Sequence, residues 1–275
     1  MIPMKTLNDA NRMPALGFGT YKLTGDDGID SIVSALEAGY RLLDTALNYE
    51  NEREVGEAIR RSGIPRDEIF VTTKLPGRHH GFDKTLASFE ESRANLGLDY
   101  VDLYLIHWPL PRVDKYVPTF QAMVKLREDG VVRSVGVSNF TEAHLTRVIG
   151  ETGVTPAVNQ IELHPRFPQA QMREFHARHD IVTESWSPLA RGNDVREEPV
   201  VAGIAEDHGV TATQVVLRWH VQLGAVPIPK SSSPERQREN FDIFGFELSD
   251  DEVALISSLE SGRLWGGDPE TNEEF

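Results

Sequence analysis

The chain has 275 residues, of which 28 are lysine or arginine and 43 are aspartate or glutamate, giving a formal net charge of −15 at pH 7. A surface this acidic repels nucleic acid and anionic membranes, so we expect neither as a partner. There is no cysteine, which excludes disulfides, thiolate metal sites and thiol catalysis.

The length is within the range of a single α/β barrel, and one domain is predicted over residues 1–275. The first residues lack the apolar run of a signal peptide, and no apolar stretch approaches the length of a membrane span. We therefore expect a soluble, cytoplasmic protein, and we expect it to be a monomer.

Short β-rich runs alternate with amphipathic segments along the chain, after an opening hairpin predicted in residues 4–16 with Asn8-Asp9 near its turn. Strands are predicted at residues 16–19, 39–44, 68–74, 100–107, 131–138, 157–163, 181–186 and 225–230. Helices are predicted at residues 27–38, 51–62, 83–96, 119–128, 142–152, 169–179, 199–208 with 211–223, and 234–243.

Eight such β-then-α units fit either a closed barrel or an open, doubly wound sheet. An open sheet that binds a dinucleotide usually carries G-x-G-x-x-G after its first strand, whereas here Gly17 and Gly19 are followed by Lys22 at the third position. We therefore predict an α/β fold, a (β/α)8 TIM barrel with an N-terminal β-hairpin and a short C-terminal tail. Its active site would lie at the C-terminal ends of the strands.

Four polar residues fall at or just after the ends of consecutive predicted strands: Asp44, Tyr49, Lys74 and His107. Taken singly, each has an ordinary explanation as a helix cap, a packed tyrosine, a surface lysine or a neutral core histidine. Together they suit proton transfer to a developing alkoxide, because the Lys74 ammonium, held by Asp44, would lower the pKa of the Tyr49 phenol. His107 would donate a hydrogen bond that orients the carbonyl oxygen.

Protonating an alkoxide implies that a hydride has been delivered, which requires a nicotinamide or flavin cofactor. Residues at the ends of the later strands could bind such a cofactor. Ser138-Asn139 ends one predicted strand and Asn159-Gln160 lies in the next, where the amides could pair with a carboxamide, and Trp186 is placed to stack on a flat ring. The segment from Ser187 to Leu189 would follow along the pyrophosphate.

The segment IPKSSSPERQREN, which contains the last predicted strand end, provides the main cofactor signal. Lys230, Arg236 and three serines precede or open a helix, and hydroxyls and backbone amides at a helix N-terminus form an anion site. A ribose 2′-phosphate would suit this site, which favours NADP over NAD. An ordinary serine-capped helix start is the alternative interpretation.

The motifs that carry these residues resemble those of the aldo-keto reductase family, in order and spacing, over nearly the whole chain. They are GYRLLDTALNYENEREVG, VDLYLIHWP, GVSNF, VNQIELHP, SWSPL and IPKSSSPERQREN. The resemblance is greatest to bacterial 2,5-diketo-D-gluconate reductase-like members. It implies a barrel that binds NADPH/NADP+ without a Rossmann domain and reduces small-molecule aldehydes or ketones, with dicarbonyls or keto-sugars as plausible substrates.

The resemblance also implies residue roles. Asp44, Tyr49, Lys74 and His107 would form the catalytic tetrad, with Tyr49 as proton donor. Positions matching the adenosine end of the cofactor are Lys230, Ser231, Ser233, Arg236, Glu239 and Asn240. The substrate pocket would be lined by Tyr21, Asn48 and Trp108, with Trp265 as a further candidate.

One departure from the family pattern affects the substrate pocket. Relatives often have a tryptophan after TTKL, whereas this chain has Pro76-Gly77, so we expect a wider pocket or one of changed polarity. We assign no metal to His79-His80 or to the pair Glu162 and His164. Two alternatives to a reductase remain: a nucleotide-binding sensor without turnover, and a metal-dependent barrel isomerase or hydrolase.

Overall fold

The computed structural model describes residues 2–192, 195–265 and 267–274. An N-terminal hairpin, formed by the antiparallel strands β1 (Met4–Thr6) and β2 (Arg12–Pro14), covers the lower end of the molecule. The Asn11 side chain donates a hydrogen bond to the backbone oxygen of Arg133, near the start of a later strand. The predicted hairpin is therefore confirmed, and it lies at the end where the barrel strands begin.

The described residues contain one sheet of eight parallel strands that lie side by side in chain order. The strands are β3 (Phe18–Gly19), β4 (Leu42–Asp44), β5 (Phe70–Leu75), β6 (Val101–Ile106), β7 (Val132–Ser138), β8 (Val158–Glu162), β9 (Val182–Trp186) and β10 (Val226–Pro227). Strands β5 and β6 are buried along their whole length, as expected for a parallel sheet whose outer face is covered by helices.

Backbone hydrogen bonds close this sheet into a barrel. Gly17 N donates to Pro227 O at 2.9 Å and Gly19 N donates to Pro229 O at 3.1 Å, which joins the first strand to the last. The approach is close enough that a Cβ atom at Gly17 would lie 2.8 Å from the side chain of Ile228, the residue that follows the last strand. The predicted (β/α)8 fold class is thus confirmed.

Ten α-helices are present in the part of the chain that the structure describes. They are α1 (Gly25–Ala38), α2 (Glu52–Ser62), α3 (Phe82–Leu96), α4 (Tyr116–Glu128), α5 (Glu142–Thr152), α6 (Ala170–Arg178), α7 (Pro199–His208), α8 (Ala212–Gln222), α9 (Pro234–Phe241) and α10 (Asp250–Ser257). In the described ranges, none of them is both long enough and apolar enough to cross a membrane.

Helix α10 was not among the predicted elements. It begins at a capping box in which the Ser249 side chain accepts from the Glu252 backbone while the Glu252 carboxylate accepts from the Ser249 backbone. The S-D-D-E pattern before an apolar run was the sequence signal for it. The helix leads the chain back to the barrel, and the tail then crosses the face where the strands end.

The side chains inside the barrel are apolar at the lower end, where the strands begin, and polar at the upper end, where the strands finish. The lower part is an apolar cluster to which the hairpin also contributes, formed by Leu7, Met13, Leu42, Phe70, Leu103, Leu105, Ala157, Val158, Val226 and Ile228. Above it, buried polar and charged side chains replace the apolar ones, among them Asp44, Lys74, Gln160 and Glu184. The fold therefore places a set of charged groups at the upper end of a dry core.

Candidate active site

Three of the four predicted catalytic residues form a connected group at the upper end of the barrel. Asp44 ends β4, Lys74 lies in β5, and Tyr49 lies in a short 3-10 turn, Leu47–Tyr49. Lys74 Nζ donates to Asp44 Oδ1 at 2.6 Å, to the backbone oxygen of Thr45 at 2.9 Å, and to Tyr49 Oη at 3.4 Å. Asp44 and Lys74 are buried and Tyr49 is half-buried.

Burial and charge act in opposite directions on the pKa values of Lys74 and Tyr49. Burial alone would lower the pKa of Lys74, but the charge of Asp44 and its hydrogen bond oppose this effect, and the pKa of the ammonium is raised above its ordinary value. Burial raises the pKa of the Tyr49 phenol more than the Lys74 ammonium lowers it. The expectation that the pKa of Tyr49 is lowered overall is therefore wrong for this state of the site, in which the tyrosine keeps its proton.

His107 follows β6 and faces the tyrosine from the other side. The two rings meet edge to face, with centroids 5.9 Å apart. The His107 backbone oxygen accepts a hydrogen bond from Asn139 Nδ2, which fixes the loop after β6 against the loop after β7. All four predicted catalytic residues therefore come together as the sequence suggested.

The predicted carboxamide-binding residues adjoin this group and are bonded to one another. Ser138 Oγ donates to the backbone oxygen of Gln160 at 2.8 Å, and Asn139 Oδ1 accepts from the Trp186 indole at 2.8 Å. Asn139 has a positive φ of 63°, a conformation that asparagine tolerates better than most residues. These contacts hold the Trp186 ring in place as one wall of the site.

A cavity of about 450 Å³ opens above these residues. Its described lining includes the following predicted site residues: Tyr21, Asp44, Tyr49, His107, Trp108, Ser138, Asn139, Gln160, Trp186, Ser187, Leu189, Lys230 and Trp265. Lys74 lies beneath this surface, with Nζ 3.4 Å from Tyr49 Oη. Asn48 is not among the lining residues, because its amide is bonded to the tail and to Arg78.

A second cavity, of about 490 Å³, continues from the first and shares Leu189, Arg191 and Lys230 with it. It is lined by Leu189, Arg191, Arg196, Thr213, Lys230, Ser231, Ser232, Ser233, Arg236, Glu239 and Asn240. Ser233 caps helix α9, with its side chain accepting from Arg236 N at 3.3 Å. Four cations around one helix N-terminus make a strongly anion-attracting cavity in an otherwise acidic chain.

Two of those cations were not predicted. Arg191 and Arg196 lie in the loop after β9, and the run ARGNDVR, whose Asn193 and Asp194 are outside the described residues, was the available signal. The Arg191 guanidinium lies 5.4 Å from the centre of the Tyr21 ring and 5.6 Å from that of Trp265, so it bridges the two aromatic side chains across the cavity.

The C-terminal tail supplies a carboxylate to the site. Glu274 Oε1 lies 2.7 Å from His107 Nδ1 and accepts from Asn48 Nδ2 at 2.8 Å. Its Oε2 accepts from Gly77 N at 3.2 Å. Burial alone would raise the pKa of Glu274, but His107 and these hydrogen bonds outweigh it and the pKa is lowered.

Gly77 explains how the tail reaches this position. A Cβ atom there would lie 2.1 Å from the Glu274 backbone oxygen, so the tail occupies space that a larger residue would fill. The wider pocket or changed polarity expected from Pro76-Gly77 stays a prediction, because neither Glu274 nor Asn48 is among the described residues that line the cavity.

Comparisons with known proteins agree with this geometry. Residues 15–261 match the profile of the Aldo/keto reductase family. The 2,5-diketo-D-gluconic acid reductase B of Corynebacterium sp. (strain SHS752001) is 58% identical over 274 residues, covering 100% of this chain and 99% of the relative.

Solved structures show the same similarity. The crystal structure of an aldo/keto reductase from Brucella melitensis is 49% identical, with a TM-score of 0.91 over 94% of this chain and 100% of that one. The crystal structure of a Gox0644 mutant in complex with NADPH is 44% identical, with a TM-score of 0.94 over 99% of both chains. The chain therefore belongs to the aldo-keto reductase family.

Proposed function

We propose that this protein reduces aldehydes and ketones to alcohols with NADPH, and that Tyr49 is the proton donor. The substrates we propose are dicarbonyls or keto-sugars, with 2,5-diketo-D-gluconate as a specific candidate. The observation that carries the proposal is the buried Asp44–Lys74 pair, whose ammonium lies 3.4 Å from the Tyr49 hydroxyl at the cavity floor.

Tyr49, Lys74 and His107 have different roles in proton transfer. When bound, a reduced nicotinamide supplies the hydride. Tyr49 holds a proton at Oη and gives it to the oxygen of the carbonyl as that oxygen becomes an alkoxide. The Lys74 ammonium, 3.4 Å away, stabilises the phenolate that results. His107, on the opposite side, orients the carbonyl oxygen by hydrogen bonding.

The two cavities fit a nicotinamide dinucleotide phosphate. The first offers an aromatic wall at Trp186 and amide groups at Asn139 and Gln160, which suit the ring and its carboxamide. The second holds Lys230 and Arg236 beside the start of α9, which suits a ribose 2′-phosphate. Support also comes from the similar Gox0644 mutant, whose crystal structure contains NADPH.

The substrate class is supported by similarity to a relative. The similar Corynebacterium enzyme is named for 2,5-diketo-D-gluconic acid. We therefore place polar dicarbonyls ahead of aromatic aldehydes.

The test is NADPH oxidation by the purified protein across a panel of 2,5-diketogluconate, methylglyoxal, other dicarbonyls, aromatic aldehydes and simple sugars, with NADH in parallel. Turnover with NADPH that favours the dicarbonyls supports the proposal. Tight NADPH binding without turnover of any carbonyl would contradict it and favour a nucleotide sensor.

A further inference from the structure

Besides Asp44 and Glu274, a third carboxyl group, that of Glu184, lies close to the candidate catalytic residues. Glu184 is in the middle of β9, and its side chain is fully buried. Its Oε2 accepts from Gln160 Nε2 at 2.7 Å, and its Oε1 has no hydrogen-bond partner among the described residues. The same Gln160 nitrogen donates to Asp44 Oδ2 at 2.8 Å. One amide group therefore connects Glu184 to the carboxylate that holds Lys74.

This arrangement decides which way the Gln160 amide points. Asp44 is ionised beside Lys74, and a carboxylate only accepts hydrogen bonds, so the group facing it must be the NH2 of Gln160. The second hydrogen of that NH2 goes to Glu184 Oε2, so a proton on Glu184 must lie on Oε1. The Gln160 carbonyl oxygen is then free of protein donors among the described residues, in a side chain that lines the first cavity.

The balance of charge favours a proton on Glu184. The charged groups that face it are Asp44 from β4 and Lys74 from β5, while β8 presents the neutral Gln160 and β10 pairs through Val226. Asp44 and Lys74 already neutralise each other, so an ionised Glu184 would be an uncompensated buried charge. Burial, then the charge of Asp44, raise the pKa of Glu184 to about 8, against weaker opposing contributions from Gln160 and Lys74.

A nearby acid does not alter this balance. Glu162, two residues from Gln160 along β8, is bonded to His164 at 3.1 Å and to Arg263 at 3.2 Å. Its charge is therefore compensated by its own partners, and no hydrogen bond joins it to Glu184.

We propose that Glu184, in its protonated form, is a positioning residue that holds the Gln160 amide and the Asp44–Lys74 pair in the arrangement needed for reduction. Loss of its proton would add a negative charge beside Asp44 and disfavour the phenolate that Tyr49 forms when it gives up its proton. Reduction would therefore slow as Glu184 ionises. The kinetic part of this proposal rests on the proposed function, whereas the protonation of Glu184 does not.

The protonation is tested on the cofactor-free protein, by urea unfolding of the wild type and Glu184→Gln between pH 5 and 9. Because the pKa of Glu184 is higher in the folded than in the unfolded chain, the wild type loses stability relative to the variant as pH rises through that window. Its unfolding constant should rise by up to about tenfold per pH unit up to about pH 8, and level off above it. Parallel curves for the two proteins would overturn the proposal, because they would mean that Glu184 is already ionised.

The positioning role is tested by the pH dependence of kcat and of the NADPH Kd. Glu184→Gln should keep at least about a third of wild-type kcat at pH 6.5, because a glutamine closely matches a neutral carboxyl group in shape. It should lack the alkaline fall near pH 8 that we expect of the wild type.

Glu52→Gln is the matched control. Glu52 is also buried, but it accepts from Thr73 at 2.6 Å and from Asn95 at 3.2 Å, away from Asp44. This control should retain the alkaline fall.

An alkaline fall that persists in Glu184→Gln would overturn the positioning role. If the wild type reduces no carbonyl, the proposed function fails. The unfolding curves still decide whether Glu184 is protonated, and a change of the NADPH Kd near pH 8 that is lost in Glu184→Gln still reports its action on Gln160.

Discussion

The Lys74 ammonium lies 2.6 Å from a carboxylate oxygen of Asp44, and both side chains are shielded from solvent at the base of the cavity. Lys74→Met leaves a buried carboxylate without a counter-ion, and Asp44→Asn leaves a buried ammonium. We expect each single change to lower the free energy of unfolding by about 3–5 kcal/mol. Urea unfolding measures this loss.

The double variant separates the structural role of this pair from its catalytic role. Removing both charges together should recover a large part of the lost stability, while all three variants lose at least about a hundredfold in kcat. A double variant no more stable than the single ones would show that the two groups are not coupled. A double variant that regains activity would show that the ammonium is not needed by Tyr49.

From the cations of the second cavity we predict which residues make the protein bind NADPH more tightly than NADH. Arg236→Ala removes one of the cations around the start of α9, and a hydrogen bond to a charged group is worth about 1.5–3 kcal/mol. We therefore expect the NADPH Kd to rise about ten- to a hundredfold, with little change for NADH. Arg196→Ala, which the sequence did not suggest, should act in the same direction.

Fluorescence titration with both cofactors measures this difference. Arg60→Ala is the control, because it removes the same charge from an exposed residue of α2 that is paired with Glu57. Equal losses for NADPH and NADH in the Arg236 and Arg196 variants would refute a 2′-phosphate in this cavity.

The tail carboxylate predicts a bias against anionic substrates. Glu274 stands 2.7 Å from His107, and a unit charge a few ångströms away is worth about 1–4 kcal/mol near a protein surface. Glu274→Gln should therefore raise kcat/KM for 2,5-diketogluconate by about tenfold or more relative to neutral methylglyoxal. Glu270→Gln, which removes the same charge from a half-exposed tail residue, should leave that ratio unchanged.

The same residue predicts an acid-dependent contribution to stability. Because folding lowers the pKa of Glu274, its contribution is present above the ordinary value of 4.5 and disappears as pH falls through the lowered value. The stability difference between the wild type and Glu274→Gln should thus be full at pH 7 and shrink in acid. A difference that is independent of pH would mean that the carboxylate is not held by His107 and Asn48.

The grouping of the proposed catalytic residues could be predicted because parallel strands in chain order place their ends next to one another. Asp44 ends a strand, Lys74 is the second-last residue of the next one and His107 follows a third, and parallel strands that lie in chain order bring their ends to one face. The direction of the Tyr49 pKa could not be predicted, because it depends on how deeply the phenol is buried relative to its distance from Lys74.

The hydrophobic pattern and the motifs of the sequence did not predict contacts between residues that are far apart in the chain. Glu274 meets Gly77 across 197 positions, and nothing in the local sequence of either indicates the other. Glu184 lies within a run that was predicted as a strand, and its importance appears only when Gln160 is seen to bridge it to Asp44. Helix α10 differs, since its capping pattern was present in the sequence.

The most direct test of the account is the effect of Tyr49→Phe on two quantities measured on one preparation, the NADPH Kd and the single-turnover rate of carbonyl reduction. The substitution removes only the hydroxyl that lies 3.4 Å from Lys74 Nζ. We predict a Kd within about threefold of wild type and a rate lower by about 10²–10⁴-fold, the usual contribution of a positioned acid. A variant that reduces carbonyls at the wild-type rate would contradict the account, and loss of NADPH binding would make Tyr49 a structural residue instead.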